Sequence, residues 1–295
     1  MKPHGPTVGL LHPGSMGSAF AAQLRSQGTT VLWCPIGRSV TSRQRAEHAG
    51  MEPVDDLAEL LDRVNVLLSL CPPAAAEGVA AQVAAHGFPG GTYVEANAIT
   101  PQKVQRIAAC LSGSSVVDGC VVGSPPVGGK RPTLYLSGPR EHVALVEQLF
   151  AGTDVRAHPL GDEIGQASAL KLAYSSYQKA SRVLAAVAYG LADANGVADE
   201  LLQIAAKRGG SYLTETDYIP KTAARAWRWG PELEDAADLL AESGLPDLFM
   251  RATADVLHRW DDVRDTPLTV AQALERLRAG EVDGDDSRVG NRVEE

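Results

Sequence analysis

The sequence predicts an α/β chain: a doubly wound, mostly parallel sheet in residues 1–160, an all-helical part over 161–280, and a short acidic tail over 281–295. Three observations predict it. Short apolar runs alternate with helically spaced segments at about 30 residues per unit through the first part. A strand, a glycine-containing turn and a helix open the chain. Past Gly161 the strand pattern stops and helical periodicity takes over.

Taken in order, the strands are Thr7–Leu11, Thr30–Trp33, Val64–Leu70, Thr92–Glu95, Ser115–Val122 and Thr133–Ser137. Helical spacing marks Ser18–Gln27, Ala74–Ala85, Pro101–Cys110 and Arg140–Phe150 between and after them. Proline-rich breaks at Cys71-Pro72-Pro73 and Ser124-Pro125-Pro126 fall just after two strands. Ligands of such sheets bind beyond the carboxyl ends of the strands, so a site is expected at those breaks. In the second part Leu170, Ala173/Tyr174, Tyr177, Leu184, Val187/Ala188 and Leu191 share one helical face. That run starts near Glu163 and stops at Asn195-Gly196. About 30 residues at roughly 1.5 Å each span some 45 Å, a length that suits a connector between domains or a contact with another subunit. Further helices are expected over Ala198–Lys207, Pro231–Ala241, Leu245–Trp260 and Leu268–Ala279. The tail is short of apolar residues and reads as disordered.

Composition narrows the function. The chain has 295 residues, 44% of them apolar and 21% charged, with a net charge of −9. Residues 1–160 hold 12 basic and 12 acidic side chains, whereas 161–295 hold 15 and 24. An acidic second half disfavours nucleic acid or an anionic membrane as partner. No apolar stretch of about 18 residues and no signal-like N-terminus occur, so a cytoplasmic protein is expected. Cys34, Cys71, Cys110 and Cys120 form no CxxC pair, which speaks against a metal centre and against a disulfide scaffold.

Three motifs can carry chemistry. The first runs Val8-Gly9-Leu10-Leu11-His12-Pro13-Gly14-Ser15-Met16-Gly17. Gly14 lets backbone approach a pyrophosphate, Gly17 lets the helix pack on the strand, and the helix N-terminus offers free N–H groups. His12 stands where a GxGxxG pattern has its first glycine, and an ordinary strand–helix turn is the bland alternative. Cofactor contacts are expected from His12, Pro13, Gly14, Ser15 and Met16, from Leu70, Cys71 and Pro72, and from Asn97.

The second motif, Trp33-Cys34-Pro35-Ile36-Gly37-Arg38-Ser39, follows the second strand and has no carboxylate before Glu47. A carboxylate there would accept the ribose hydroxyls of NAD, whereas Arg38 and Ser39 suit a 2′-phosphate, so NADP is expected over NAD. Arg43 and Arg45 read as a solvated helix face. The third motif is Gly161 to Ser175, with Lys171 among small and apolar residues. A lysine there is costly unless exposed or used. Burial can lower its pKa enough for proton exchange, and a snorkelling lysine is the alternative.

In that order and spacing, Gly14-Ser15-Met16-Gly17, Asp118 through Ser124 and the Lys171 segment resemble the β-hydroxyacid dehydrogenase superfamily, which includes imine reductases and relatives of 6-phosphogluconate dehydrogenase. Ala167–Tyr174, Arg225–Glu234 and Ser243–Asp247 resemble its branch with a distinct helical C-terminal domain. The resemblance spans residues 7–279 and implies a Rossmann domain and NAD(P)H. It also implies a dimer formed around the long helix, with the active site between the Rossmann domain and helical elements. Its acid–base lysine falls on Lys171. Tyr174, one turn along from Lys171, reads as a proton donor, with a core role as the alternative. The family's Ser-Gly-Gly becomes Val122-Gly123-Ser124, and its asparagine four residues after the lysine becomes Ser175; these are the expected substrate contacts. The function expected is NADPH-dependent hydride transfer on a small polar alcohol/ketone or hydroxyacid-like substrate. Imine reduction is the close alternative, favoured by the altered residues and opposed by Lys171, which the imine-reducing branch replaces. A non-catalytic NADP-binding regulator is the alternative of another class. His258 reads as a helix-surface residue, and Trp227 and Trp229 as packing of the helical part.

Overall fold

The computed structural model describes residues 6–175, 192, 195–207, 216–227, 229–230, 233–234, 237, 241, 244–264 and 266–278. Eight strands make one sheet: β1 (Val8–Leu10), β2 (Val31–Trp33), β3 (Glu52–Pro53), β4 (Val66–Ser69), β5 (Thr92–Glu95), β6 (Ser115–Val122), β7 (Thr133–Ser137) and β8 (Arg156–Gly161). Their order is β3-β2-β1-β4-β5-β6-β7-β8. The first six are parallel; β7 runs antiparallel to β6, and β8 is parallel to β7. The chain reverses its direction of winding between β1 and β4, which opens the crevice where such sheets take ligands.

The pleat sends alternate residues of the inner strands into two cores. Val66, Leu68, Val94 and Val117 pack with Phe20 and Leu24 of α1 (Ser15–Ser26) and with Val146 and Phe150 of α6 (Arg140–Phe150). Leu67, Tyr93 and Val116 face the other way, onto α3 (Leu57–Arg63), α4 (Ala76–His86) and α5 (Pro101–Cys110). Parallel strands covered on both faces read as continuous apolar runs, which is why β4, β5 and β6 stand out in the sequence. β5, β6, β7, α5 and α6 keep the bounds that their patterns predict.

Four elements were not legible. β3 has two exposed residues, and β8 is an edge strand that contains Pro159 and no apolar run. α2 (Val40–His48) buries only Ser42 and Ala46, so it has no hydrophobic stripe. α3 is seven residues long, too short for periodicity, and is set by a cap: Glu59 N–H donates to Asp56 Oδ1 at 2.8 Å while Asp55 N–H donates to Glu59 Oε2 at 2.7 Å. α1 also starts at Ser15, three residues before the pattern suggests, because Gly14 caps it.

Residues 166–175 form α7, the start of the expected long helix; its continuation over 176–191 lies outside the described residues. The chain divides into two compact units, Met1–Gln178 and Lys179–Glu295. In the second, α8 (Ala198–Ala206), α9 (Ile219–Ala223), α10 (Leu248–His258) and α11 (Val270–Arg278) are the described α-helices. Its core gathers Ala223, Ala226, Leu257, Trp260, Val263 and Ala273, with Trp229 against it. Trp260 Nε1–H donates to the Ala273 carbonyl at 2.9 Å. Trp227 instead lies at the surface, its ring 3.9 Å from the Arg264 guanidinium. His258 sits on the surface of α10 between Glu234 and Asp261. Most of the expected Pro231–Ala241 helix and the whole 281–295 tail lie outside the described residues. No helix among the described residues is long and apolar enough to cross a membrane.

Gly17 sets how closely α1 approaches the turn before it. A Cβ there would lie 2.5 Å from the His12 carbonyl oxygen. Gly17→Ala is therefore expected to destabilise the fold by about 1–3 kcal/mol in urea or thermal unfolding, the steric cost outweighing the roughly 1 kcal/mol gained in helix propensity.

Candidate active site

The turn between β1 and α1 comprises Leu11 to Gly14. Gly14 caps α1 in an extended conformation without a side-chain hydrogen bond, and no carboxylate lies in the first helical turn. The partial positive charge of the helix end is thus not neutralised by the chain's own side chains. Pro13 is buried, Ser15 exposed, and Met16 packs with Leu70 onto the first core. His12 Nδ1 accepts a hydrogen bond of 3.1 Å from one terminal nitrogen of Arg38, and the other donates to the Leu11 carbonyl at 2.7 Å. Arg38 Nε is buried without a hydrogen-bond partner. Ser39 is exposed and its Oγ caps α2, accepting from Ser42 N–H at 3.2 Å. Arg43 and Arg45 are exposed, as a solvated helix face requires. Beside Arg38 a cavity of about 320 Å³ opens between the end of β2 and helices α3 and α4, lined by Leu11, Cys34, Asp56, Leu57 and Gln82 among others.

A buried polar cluster closes the ends of β4 and β5. The Asn97 amide donates to Ser69 Oγ at 3.1 Å, to Cys71 Sγ at 3.4 Å and to the Glu95 carboxylate. Asn97 N–H also donates to Glu95 Oε1 at 3.1 Å, and Tyr93 Oη–H to Oε2 at 3.4 Å. Glu95 is fully buried. Burial pushes its carboxyl up to about 7 against the opposing effect of the Asn97 donors, and burial with the Glu95 charge raises the Cys71 thiol. Leu70 is half-buried beside this cluster, and Pro72 is exposed.

The third group centres on Asp118, fully buried in the middle of β6. Its Oδ2 accepts from Gly165 N–H at 2.9 Å, from Ser168 N–H at 2.9 Å and from Ser137 Oγ at 3.3 Å. Its Oδ1 accepts from Ser168 Oγ at 2.7 Å, while Ser137 Oγ accepts from Ala167 N–H at 3.1 Å. The sheet thereby supplies the cap of α7, and that helix carries Lys171. Lys171 Nζ donates to the Val121 carbonyl at 2.6 Å, which brings the ammonium to the residue before Val122-Gly123-Ser124. Gly123 has φ +123°, and a Cβ on it would lie 3.0 Å from Pro132 Cα, so only glycine suits that bend. Val122 is half-buried and Ser124 exposed. Tyr174 and Ser175 are half-buried, three and four residues beyond Lys171, the spacing of one helix face.

Residues 7–155 match the NAD binding domain of 6-phosphogluconate dehydrogenase, just over half of the chain. The chain belongs to that family. Residues 192–260 match a domain of unknown function, DUF1932. An L-threonate dehydrogenase of Cupriavidus necator is 28% identical over 236 residues, covering 73% of this chain and 78% of that protein. An uncharacterized 28.5 kDa protein of Methanothermus fervidus is 24% identical over 197 residues, 67% of this chain and 75% of that one. The fold resembles that of a reductive aminase from Aspergillus terreus solved with NADPH and ethyl levulinate, at a TM-score of 0.70 and 22% identity, covering 92% of this chain and 99% of that one.

For a member of the 6-phosphogluconate dehydrogenase NAD-binding family, a family of dehydrogenases and reductases, the residues present fit a dinucleotide. The helix end without a side-chain cap and the orphaned Arg38 Nε both suit phosphate. Among the described residues no three His, Cys, Asp or Glu side chains cluster as metal ligands. Sequence reasoning missed Glu95 and the anchoring role of Asp118; in both cases the available signal was a single carboxylate in an otherwise apolar strand.

Glu95 makes a pH prediction. Its folded pKa lies above the ordinary carboxyl value, so its contribution is fully present below about pH 4.5 and is lost as pH rises through about 7. Glu95→Gln removes this linkage. Between pH 5 and pH 8 the variant is expected to gain about 2.5 kcal/mol relative to the parent in urea unfolding.

Proposed function

We propose that this dehydrogenase/reductase is NADPH-dependent and acts on a small polar substrate, an alcohol/ketone or hydroxyacid-like pair, with Lys171 as acid and base. The carrying observation is the ammonium of Lys171, tied at 2.6 Å to the Val121 carbonyl on a helix whose start Asp118 clamps to the sheet. In this reading residues 1–160 bind cofactor, and 161–280 serve substrate binding and dimerisation.

Bound NADPH supplies the hydride. The chain's own residues handle the proton: Lys171 Nζ donates it to the oxygen that gains charge on reduction and takes it back on oxidation. Gly123 N–H and Ser124 Oγ serve the polar end of the substrate, and Ser175 works from the same helix face as Lys171. Tyr174, in the adjoining turn, is the second proton donor. His12, Pro13, Gly14, Ser15 and Met16 hold the pyrophosphate; Arg38 and Ser39 serve the 2′-phosphate. Leu70, Cys71, Pro72 and Asn97 shape the floor beyond β4 and β5. Preference for NADPH is supported by the absence of a carboxylate from Trp33 to Arg45 and by the anchored Arg38. The four free thiols suit a reducing, cytoplasmic setting.

Imine reduction is the second reading. The observation favouring it is Val122, an apolar side chain where the family's substrate segment has serine. Turnover of small ketones or hydroxyacids without turnover of cyclic imines supports the first reading, and the reverse supports the second.

Lys171→Met is expected to lower turnover by about 10²–10⁴-fold while NADPH affinity stays within about threefold. A loss confined to cofactor binding would remove Lys171 from the chemistry. A second copy of the chain is the proposed cover for the apolar surface of the helical unit, where Leu202, Ile204 and Leu248 are 52%, 61% and 77% exposed. Light scattering at micromolar concentration is expected to give twice the chain mass.

A further inference from the structure

We propose that His12 is a two-sided cofactor-selecting residue: Nδ1 positions the Arg38 guanidinium for the 2′-phosphate, while Nε2–H serves the pyrophosphate at the start of α1. The inference rests on the NADPH reading and goes further by assigning each ring nitrogen a task. A guanidinium only donates, so the 3.1 Å contact makes Nδ1 an acceptor. With Nδ1 taken as the acceptor, the ring's proton sits on Nε2; burial, with the charges of Arg38 and Arg45, shifts the imidazole pKa downward in the same sense.

The other edge of the ring borders the helix end. A Cβ on Gly14 would lie 3.4 Å from His12 Cδ2 and 3.8 Å from Nε2, and Gly14 is the residue that caps α1 without a side chain. The imidazole thus stands between the uncapped helix end and Arg38, two places that each attract phosphate. Arg38 is held from two sides, by His12 and by the Leu11 carbonyl, and its buried Nε has no partner. Two fixed nitrogens and one unsatisfied donor make a rigid cation beside the cavity at the end of β2. A phosphate brings a charged acceptor to this cation, and a ribose hydroxyl offers a weaker, uncharged one. Where a glycine turn would let the backbone approach phosphate, this chain uses a side-chain N–H and, through the same ring, fixes the arginine.

The test is isothermal titration of the full chain with NADPH and with NADH. In the parent NADPH binds more tightly. His12→Gly is expected to weaken both cofactors and to lower the NADPH-to-NADH affinity ratio by about tenfold. His12→Asn keeps an acceptor near Nδ1 but has no donor at Nε2; it is expected to weaken both cofactors alike and keep the ratio. A ratio within about twofold of the parent's in His12→Gly overturns the inference, as does a collapsed ratio in His12→Asn. If His12→Gly does not fold, the His12→Asn ratio decides. A parent that binds NADH as tightly as NADPH overturns the cofactor reading itself, a different outcome from a parent that prefers NADPH whatever stands at position 12.

Discussion

The buried carboxylate of Asp118 is the constraint on which the rest of the site depends. It sits in the middle of β6 and accepts three hydrogen bonds from the start of α7 and a fourth from Ser137 on β7. Burial alone raises its pKa, and the donors from Ser168, Gly165 and Ser137 oppose that shift. Removing the carboxylate would leave several buried donors unpaired at once, each costing about 1–3 kcal/mol. One side chain therefore decides where α7 begins, and Lys171 follows one turn after Ser168. The lysine reaches the Val121 carbonyl because β6 and α7 are locked at both ends of that short span.

A second cluster lies on the neighbouring strands β4 and β5. Glu95, Asn97, Ser69, Cys71 and Tyr93 tie the ends of β4 and β5 into one network. Asn97 is the hub, since its amide reaches both strand ends. A buried carboxyl that exchanges its proton near neutrality makes the packing there depend on pH. Cys71 stays a thiol in the same surroundings, which keeps it a poor nucleophile. The ends of β4 and β5 are thus joined by hydrogen bonds between side chains, and such networks favour one arrangement over others.

The helical unit follows a different logic. Its described core is small and rich in alanine, stiffened by Trp260 and its bond to the Ala273 carbonyl. Leu202 and Ile204 on α8 are exposed. His258, between Glu234 and Asp261, is a surface ion-pair residue; its two carboxylate partners raise its pKa.

What the sequence by itself determined is the layered α/β plan. Buried parallel strands must be largely apolar, so β4, β5 and β6 could be read directly, and amphipathic α5 and α6 by their period. The glycine turn, Arg38 and Lys171 could be singled out because each is an exception to that plan. The exposed edge strands β3 and β8 and the polar α2 escaped, since burial leaves no pattern where there is little burial. Only the tertiary structure decided the pairings that make a site. Asp118 and Ser168 are 50 residues apart in the chain, His12 and Arg38 are 26 apart, and Ser69 and Asn97 are 28 apart. Ser69 meets Asn97, and His12 meets Arg38, beyond the ends of neighbouring parallel strands, whereas Ser168 reaches Asp118 from the start of α7; no local pattern encodes these meetings.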